Sequence, residues 1–173
     1  KLIVKEAKPN ISHYKLAELE KAGKLLAIVT QNIDGLHQAA GSKKVYELHG
    51  STLRNYCMNC GEFYDVDFIV NSEHTENQIP ICKKCNGIVK PDVVLYEEGL
   101  DNTTIDGAIN AISQADTLII GGTSLIVYPA AGLIKYFRGT NLVLINKTET
   151  QADSIANLVI HEKLGTILER IIV

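Results

Sequence analysis

No run of apolar residues in this chain of 173 approaches the roughly 20 that a bilayer-spanning helix needs. No secretory signal is present either, so a soluble intracellular protein, cytoplasmic by default, is expected. A strong charge of one sign is also missing. The formal net charge of −3 gives no general attraction to nucleic acid or to an anionic membrane surface. There is no internal repeat and no low-complexity tract. Neither G-x-G-x-x-G nor G-x-x-x-x-G-K-[ST] occurs, so the usual phosphate cradle at a helix N-terminus is absent from these residues.

Cysteine is scarce, with four in the chain, but the four fall in two pairs, Cys57-Met58-Asn59-Cys60 and Cys82-Lys83-Lys84-Cys85. A disulfide framework belongs to short secreted chains, and a redox dithiol needs one such pair at the start of a helix. Two CxxC pairs separated by 21 residues, each near a glycine (Gly61, Gly87), read instead as the two knuckles of a zinc ribbon. Four thiolates would fill a tetrahedron and leave no position for water, so such a zinc would be structural.

Hydrophobic residues make up 46% and charged residues 21%, enough for a buried core in one domain carrying a small insertion. Residue 1 is Lys and the chain enters at once into Lys1-Leu2-Ile3-Val4, so a further upstream segment is expected. Asn10 can cap a helix running from Ile11 to a stop at Gly23. Short apolar strands are expected at Leu25–Thr30, Val45–Leu48, Thr117–Ile120, Leu142–Ile145 and Leu158–Ile160. Helices are expected at Leu36–Ala40, Thr104–Gln114, Pro129–Phe137 and Leu164–Ile172. Strands of this length alternating with helices mean an α/β fold with an open parallel sheet, Rossmann-like, with helices on both faces. Residues 51–91 change character. Short strands, both cysteine pairs and a polar insert (Asn71 to Asn77) suggest a zinc module looped out of a larger domain formed by 1–50 and 92–173.

In open α/β sheets ligands bind beyond the carboxyl ends of the strands. Three strands end in small or polar groups: Gln31-Asn32-Ile33-Asp34, Gly121-Gly122-Thr123-Ser124 and Asn146. Each alone is an ordinary turn composition. Three in register point to a nucleotide site. Among five histidines, His49 ends a strand, His13 reads as a solvated helix residue, His37 as part of a helical turn, His74 as part of the polar insert, and His161 follows a strand.

Thr30-Gln31-Asn32-Ile33-Asp34-Gly35-Leu36-His37 resembles the signature of the sirtuins, NAD-dependent protein-lysine deacylases. Glu47-Leu48-His49-Gly50-Ser51, the two CxxC pairs, Lys90-Pro91-Asp92-Val93-Val94-Leu95, Gly122-Thr123-Ser124-Leu125 and Leu144-Ile145-Asn146 follow in the family's order. The resemblance, to bacterial members, covers almost the whole chain. It implies NAD as cosubstrate, one structural zinc on Cys57, Cys60, Cys82 and Cys85, and release of nicotinamide and O-acyl-ADP-ribose.

It also implies roles. His49 would be the general base for the 3′-hydroxyl of the nicotinamide ribose, a task suited to an imidazole's ordinary pKa of about 6.5. Asn32 and Gln31 would contact that ribose. Ile33 and Asp34 would form the nicotinamide pocket, with Asp34 accepting from the carboxamide. Gly122, Thr123 and Ser124 would line the phosphate and ribose side, Asn146 would bind the adenine ribose, and Lys163 would contact adenine through its backbone. The acyl-lysine protein substrate would lie as an added strand along Val93 to Glu98 and Leu125 to Tyr128, meeting Val93, Val94, Tyr96, Glu97, Leu125 and Val127. The family commonly has Phe-Gly-Glu where this chain has Tyr96-Glu97-Glu98. The added carboxylate would favour substrates with Lys or Arg nearby.

The family places its glycine-rich phosphate loop before the first helix, so these 173 residues by themselves are expected not to turn over NAD. The residues that would choose a succinyl or malonyl group lie upstream too, leaving acyl preference and mono-ADP-ribosyl transfer open. A zinc-ribbon binder of nucleic acid is the reading from another class. Residues 61–81 carry five acidic groups and no Lys or Arg, the wrong sign for phosphate contacts, so no direct nucleic-acid partner is expected.

Overall fold

A computed structural model describes residues 7–71 and 79–173. Most of the polar insert, His74 included, lies outside the described residues. Two compact units result, one comprising Asn32–Gly35 and His49–Leu100, the other Lys8–Gln31, Leu36–Leu48 and Asp101–Val173. Among the described residues no helix is long and apolar enough to cross a membrane.

The larger unit holds the parallel strands. In it α1 (Ile11–Lys21) begins where Asn10 Oδ1 accepts from Ser12 N at 2.9 Å. His13 Nδ1 reaches back to Asn10 N at 3.2 Å. That bond corrects the reading of His13 as solvated. The residue is 8% exposed because its ring occupies the reciprocal capping position that Glu or Gln usually fills. It packs 4.7 Å from the ring of His37 on α2 (Leu36–Ala39). Strands β1 (Ile28–Thr30) and β2 (Val45–Glu47) pair in parallel, with Leu48 N extending the ladder to Thr30 O at 2.9 Å.

A second parallel ladder contains β6 (Thr117–Gly121), β7 (Asn141–Ile145) and β8 (Leu158–Ile160), in that order. Its core is Ile120, Leu125, Ala131, Leu142, Leu144 and Ala152. Helix α4 (Asn102–Gln114) buries Ala108, Ala111 and Ile112, the i, i+3, i+4 spacing of one helical face, and is capped by Asp101, which accepts from Thr104 N at 2.7 Å.

Two helical expectations are corrected. Ala130–Tyr136 is a 3-10 helix, not an α-helix through Phe137. It is short, contains Gly132 and has no side-chain cap, so propensity is weak and the burial of Ala131 and Leu133 decides its geometry. Helix α5 (Leu164–Leu168) stops short of Ile172. The chain there runs into Ile171-Ile172-Val173, three β-branched residues that lose χ1 freedom in a helix.

The smaller unit is an antiparallel sheet, β4-β3-β5, made of β3 (Gly50–Cys57), β4 (Phe63–Asp65) and β5 (Val89–Val93). Helix α3 (Val66–Asn71) follows β4 and was not foreseen. Its signal is Asp65, whose Oδ1 accepts from Phe68 N at 2.8 Å as an N-cap does. At the start of β3, Gly50 has φ 75° and pairs with Val93, and a β-carbon on it would collide with the carbonyl of Asp92. Position 50 therefore excludes side chains twice, by conformation and by space. Gly50→Ala is expected to lower unfolding free energy by about 2 kcal/mol or more in a urea melt, and a melt within 0.5 kcal/mol of the unmodified protein would contradict the close approach.

Candidate functional site

His49 belongs to the smaller unit. Its carbonyl accepts from Val94 N at 3.1 Å beside β5, so backbone pairing fixes it within that unit. The Asn32–Gly35 loop is tied to the same strand start. Ile33 O accepts from Thr52 N at 3.0 Å and from Thr52 Oγ1 at 3.1 Å. Asn32 and Asp34 are exposed, Ile33 and His49 half-buried. Thus Asn32, Ile33, Asp34 and His49, four of the residues chosen from sequence, come together in the smaller unit with Val93 and Val94. Gln31 belongs to the larger unit, where its Nε2 donates to Val127 O at 3.5 Å.

A second group lies in the larger unit, past the carboxyl ends of β6, β7 and β8. Gly122, Thr123, Ser124, Ile145, Asn146, Lys147, Thr148, Glu162, Lys163 and Leu164 line a cavity of about 400 Å³, within the span usual for small-ligand pockets. Parallel pairing brings these ends to one side, as in other open α/β sheets. Gly122 has φ 63°. Thr123 Oγ1 accepts from Leu125 N at 3.1 Å, and Asn146 Nδ2 donates to Thr148 O at 2.9 Å. His161 Nδ1 meets Asn146 O at 3.2 Å, and its Nε2 lies 3.2 Å from Asp153 Oδ2, bracing the loop after β7 against the end of β8. Five lining residues, Ile145, Lys147, Thr148, Glu162 and Leu164, were not among the residues expected to meet the cofactor. Their only signal was standing one or two positions from residues already singled out. Open backbone, amide and hydroxyl groups around such a cavity fit a nucleotide's ribose and phosphate.

Of the residues expected to meet a peptide, Val93 is buried, Val94 half-buried, and Tyr96 and Glu97 exposed in the smaller unit. In the larger unit Leu125 points into the core and Val127 is exposed.

The four cysteines lie together, their sulfurs all within 4.8 Å of one another, and none is in a disulfide. Sγ–Sγ distances are 3.4 Å for Cys57–Cys85 and 3.7 Å for Cys60–Cys82. A tetrahedron with Zn–S bonds of about 2.3 Å has edges of about 3.8 Å, so the donor set fits one zinc. The two knuckles share one internal pattern. Asn59 N and Lys84 N each donate at 3.4 Å to the sulfur two residues earlier. Gly61 N and Asn86 N each donate at 3.0 Å to the cysteine carbonyl four residues earlier. Gly61 (φ 70°) and Asn86 (φ 57°) supply the left-handed turn, so the second knuckle uses Asn86 for this, not Gly87. Tyr64 Oη donates to Cys82 Sγ at 3.2 Å, and this bond brings the thiol's pKa down to about 6.

The family model for the Sir2 family matches residues 1–129. NAD-dependent protein deacetylases of Clostridium perfringens and Clostridium acetobutylicum are 66% and 63% identical over 173 and 172 residues, each match covering 99% of this chain and 69% of that protein. A solved Sir2–p53 peptide–NAD+ complex has a TM-score of 0.87 at 41% identity, covering 95% of this chain and 69% of that one. A Sir2 complex with the inhibitor EX-527, 2′-O-acetyl-ADP-ribose and deacetylated p53 peptide has a TM-score of 0.85 at 40% identity, covering 95% and 71%.

Replacing Cys82 by Ser is expected to drop bound zinc well below one per chain and unfold the small module, since metal affinity here is folding free energy. Tyr64→Phe is expected to keep one zinc but release it faster to a chromogenic chelator. Full zinc in Cys82→Ser, measured by atomic emission, would exclude this metal site.

Proposed function

The chain belongs to the Sir2 family, and from that premise we propose that it carries the NAD-dependent removal of acetyl groups from protein lysine side chains, releasing nicotinamide and O-acetyl-ADP-ribose. The observation that carries this reading is identity of up to 66% over nearly the whole chain with proteins named NAD-dependent protein deacetylase.

NAD supplies an electrophilic ribose carbon and nicotinamide as leaving group. In our reading His49 takes the proton from a ribose hydroxyl, which an imidazole does well near neutral pH. Its backbone is anchored by the bond to Val94 N, so the ring is presented from a fixed point. Asp34 accepts from the nicotinamide carboxamide, Ile33 gives the pocket its apolar wall, and Asn32 and Gln31 hold the ribose. The 400 Å³ cavity in the larger unit takes the adenosine half, with Gly122, Thr123 and Ser124 towards phosphate, Asn146 on the ribose and Lys163 at the base. Val93, Val94, Tyr96 and Glu97, with Leu125 and Val127, receive the acyl-lysine peptide through backbone pairing. Cys57, Cys60, Cys82 and Cys85 hold a zinc that stabilises the smaller unit and takes no part in the chemistry. We place the work of this protein in the cytoplasm, in keeping with four cysteines that are grouped as metal ligands and not joined in disulfides.

Deacetylation of an acetyl-lysine peptide with NAD by the full-length protein, followed by mass spectrometry, tests the assignment. His49→Ala is expected to lose about 10²–10⁴-fold or more in kcat while zinc content stays at one; turnover near that of the unmodified protein would remove His49 from the role. Asp34→Asn is expected to weaken inhibition by free nicotinamide several-fold and leave ADP-ribose binding unchanged. Unaltered nicotinamide inhibition would count against Asp34.

A further inference from the structure

Beyond β5 the chain folds into a tight turn, Leu95–Glu98, closed by Glu98 N donating to Leu95 O at 3.1 Å. Its third residue, Glu97, has φ 72°. A type II turn demands this left-handed conformation at that position, and glycine normally supplies it. With a side chain the conformation is strained and persists only where the surroundings over-determine it. Glu98 and Lys90 do so. Glu98 Oε2 accepts from Leu95 N at 2.9 Å and from Lys90 Nζ at 3.1 Å. Lys90 Nζ also donates to Val93 O at 3.1 Å. The turn is therefore stapled to itself by a backbone bond and a side-chain bond between the same two residues, and to β5 through a cation that touches both.

An exposed Lys–Glu pair by itself contributes little. This carboxylate differs because one of its two donors is a backbone N–H of the turn it closes, and charge-assisted bonds are the stronger kind. The Leu95 N–H, and after it Lys90, hold the Glu98 carboxyl below the usual carboxylate range, so it stays ionised and accepting at neutral pH. What the stapled turn holds outward is Tyr96, fully exposed, and the Glu97 carboxylate.

We propose that Lys90 and Glu98 form a positioning clamp that holds Tyr96-Glu97 in the one shape able to receive the substrate peptide. The proposal rests on the peptide site of the function above. Neither residue touches the reacting atoms. The chain carries Glu where the turn favours Gly, and the clamp offsets the strain that this substitution introduces. Clamp and strain are therefore coupled.

The test uses the full-length protein and a fluorescent acetyl-lysine peptide, with the dissociation constant read by anisotropy and kcat and KM read separately for peptide and NAD. Glu98→Ala and Lys90→Met are each expected to raise peptide Kd and KM roughly five-fold, what the loss of about 1 kcal/mol gives. The NAD KM and kcat should stay within two-fold, and Lys90→Arg should keep tight binding. In a Glu97→Gly background, Glu98→Ala should raise peptide Kd less than two-fold, because glycine holds φ 72° without help. Zinc content and melting temperature establish that each variant is folded, and Lys90→Met gives the answer should Glu98→Ala unfold. Unchanged peptide Kd in both single variants, or an undiminished effect of Glu98→Ala in the Glu97→Gly background, would overturn the clamp. If the unmodified protein binds peptide but does not deacetylate it, the proposed function fails while the clamp is still measured by binding. If it binds no acetyl-lysine peptide, both fail.

Discussion

At Gly50 two backbones come so close that no side chain fits between them, and the smaller unit is organised around that approach. The chain leaves β2, passes His49 and turns into β3 with a left-handed residue, which lets Gly50 lie against Val93 and His49 O take the Val94 N–H. Two residues on, Thr52 holds the Asn32–Gly35 loop by its N–H and hydroxyl. One close contact thus sets the backbone positions of His49, the Asn32–Gly35 loop and the segment from Val93 onward.

The far end of the same sheet is held by different physics. The apolar core under the cysteines is small, with Cys57, Cys82 and Val89 buried and Tyr64, Phe68 and Ile69 packed on them. A core of that size stabilises little by burial alone. Two knuckles with the same hydrogen-bond pattern, which bring four sulfurs to near-tetrahedral separations, explain how so short a module can be ordered. In the larger unit the ordinary means suffice. Leu144 and Ile145 on β7 are nearly inaccessible, and the strand ends they carry open into the cavity of about 400 Å³.

Much of this was legible in the residues themselves. The CxxC pairs, the Asn10 cap and the β6–β8 strands agree with the structure, because each depends on spacing or chemistry within a few residues. The failures share a cause. His13 reads as a solvated residue by composition, yet it is buried because it caps its own helix and meets His37 across a loop. Residues 130–136 look helical but settle as 3-10 once Ala131 and Leu133 are packed. Lys147, Thr148, Glu162 and Leu164 join the cavity only because β7 and β8 are neighbours in register.

By itself the sequence determined the family, the four zinc-type ligands and the alternation of strand and helix, since these are written in residue types and local intervals. Only the tertiary structure decided that, among the described residues, the parallel strands pair as β1–β2 and as β6–β7–β8, and that the Asn32–Gly35 loop is bonded to β3. It also decided that Glu97 occupies a glycine's conformation under the hold of Glu98 and Lys90. Those facts depend on which backbone groups meet across long stretches of chain. A hydrogen-bond donor has the same letter whichever acceptor it finds, so the pairing exists only once the chain is folded.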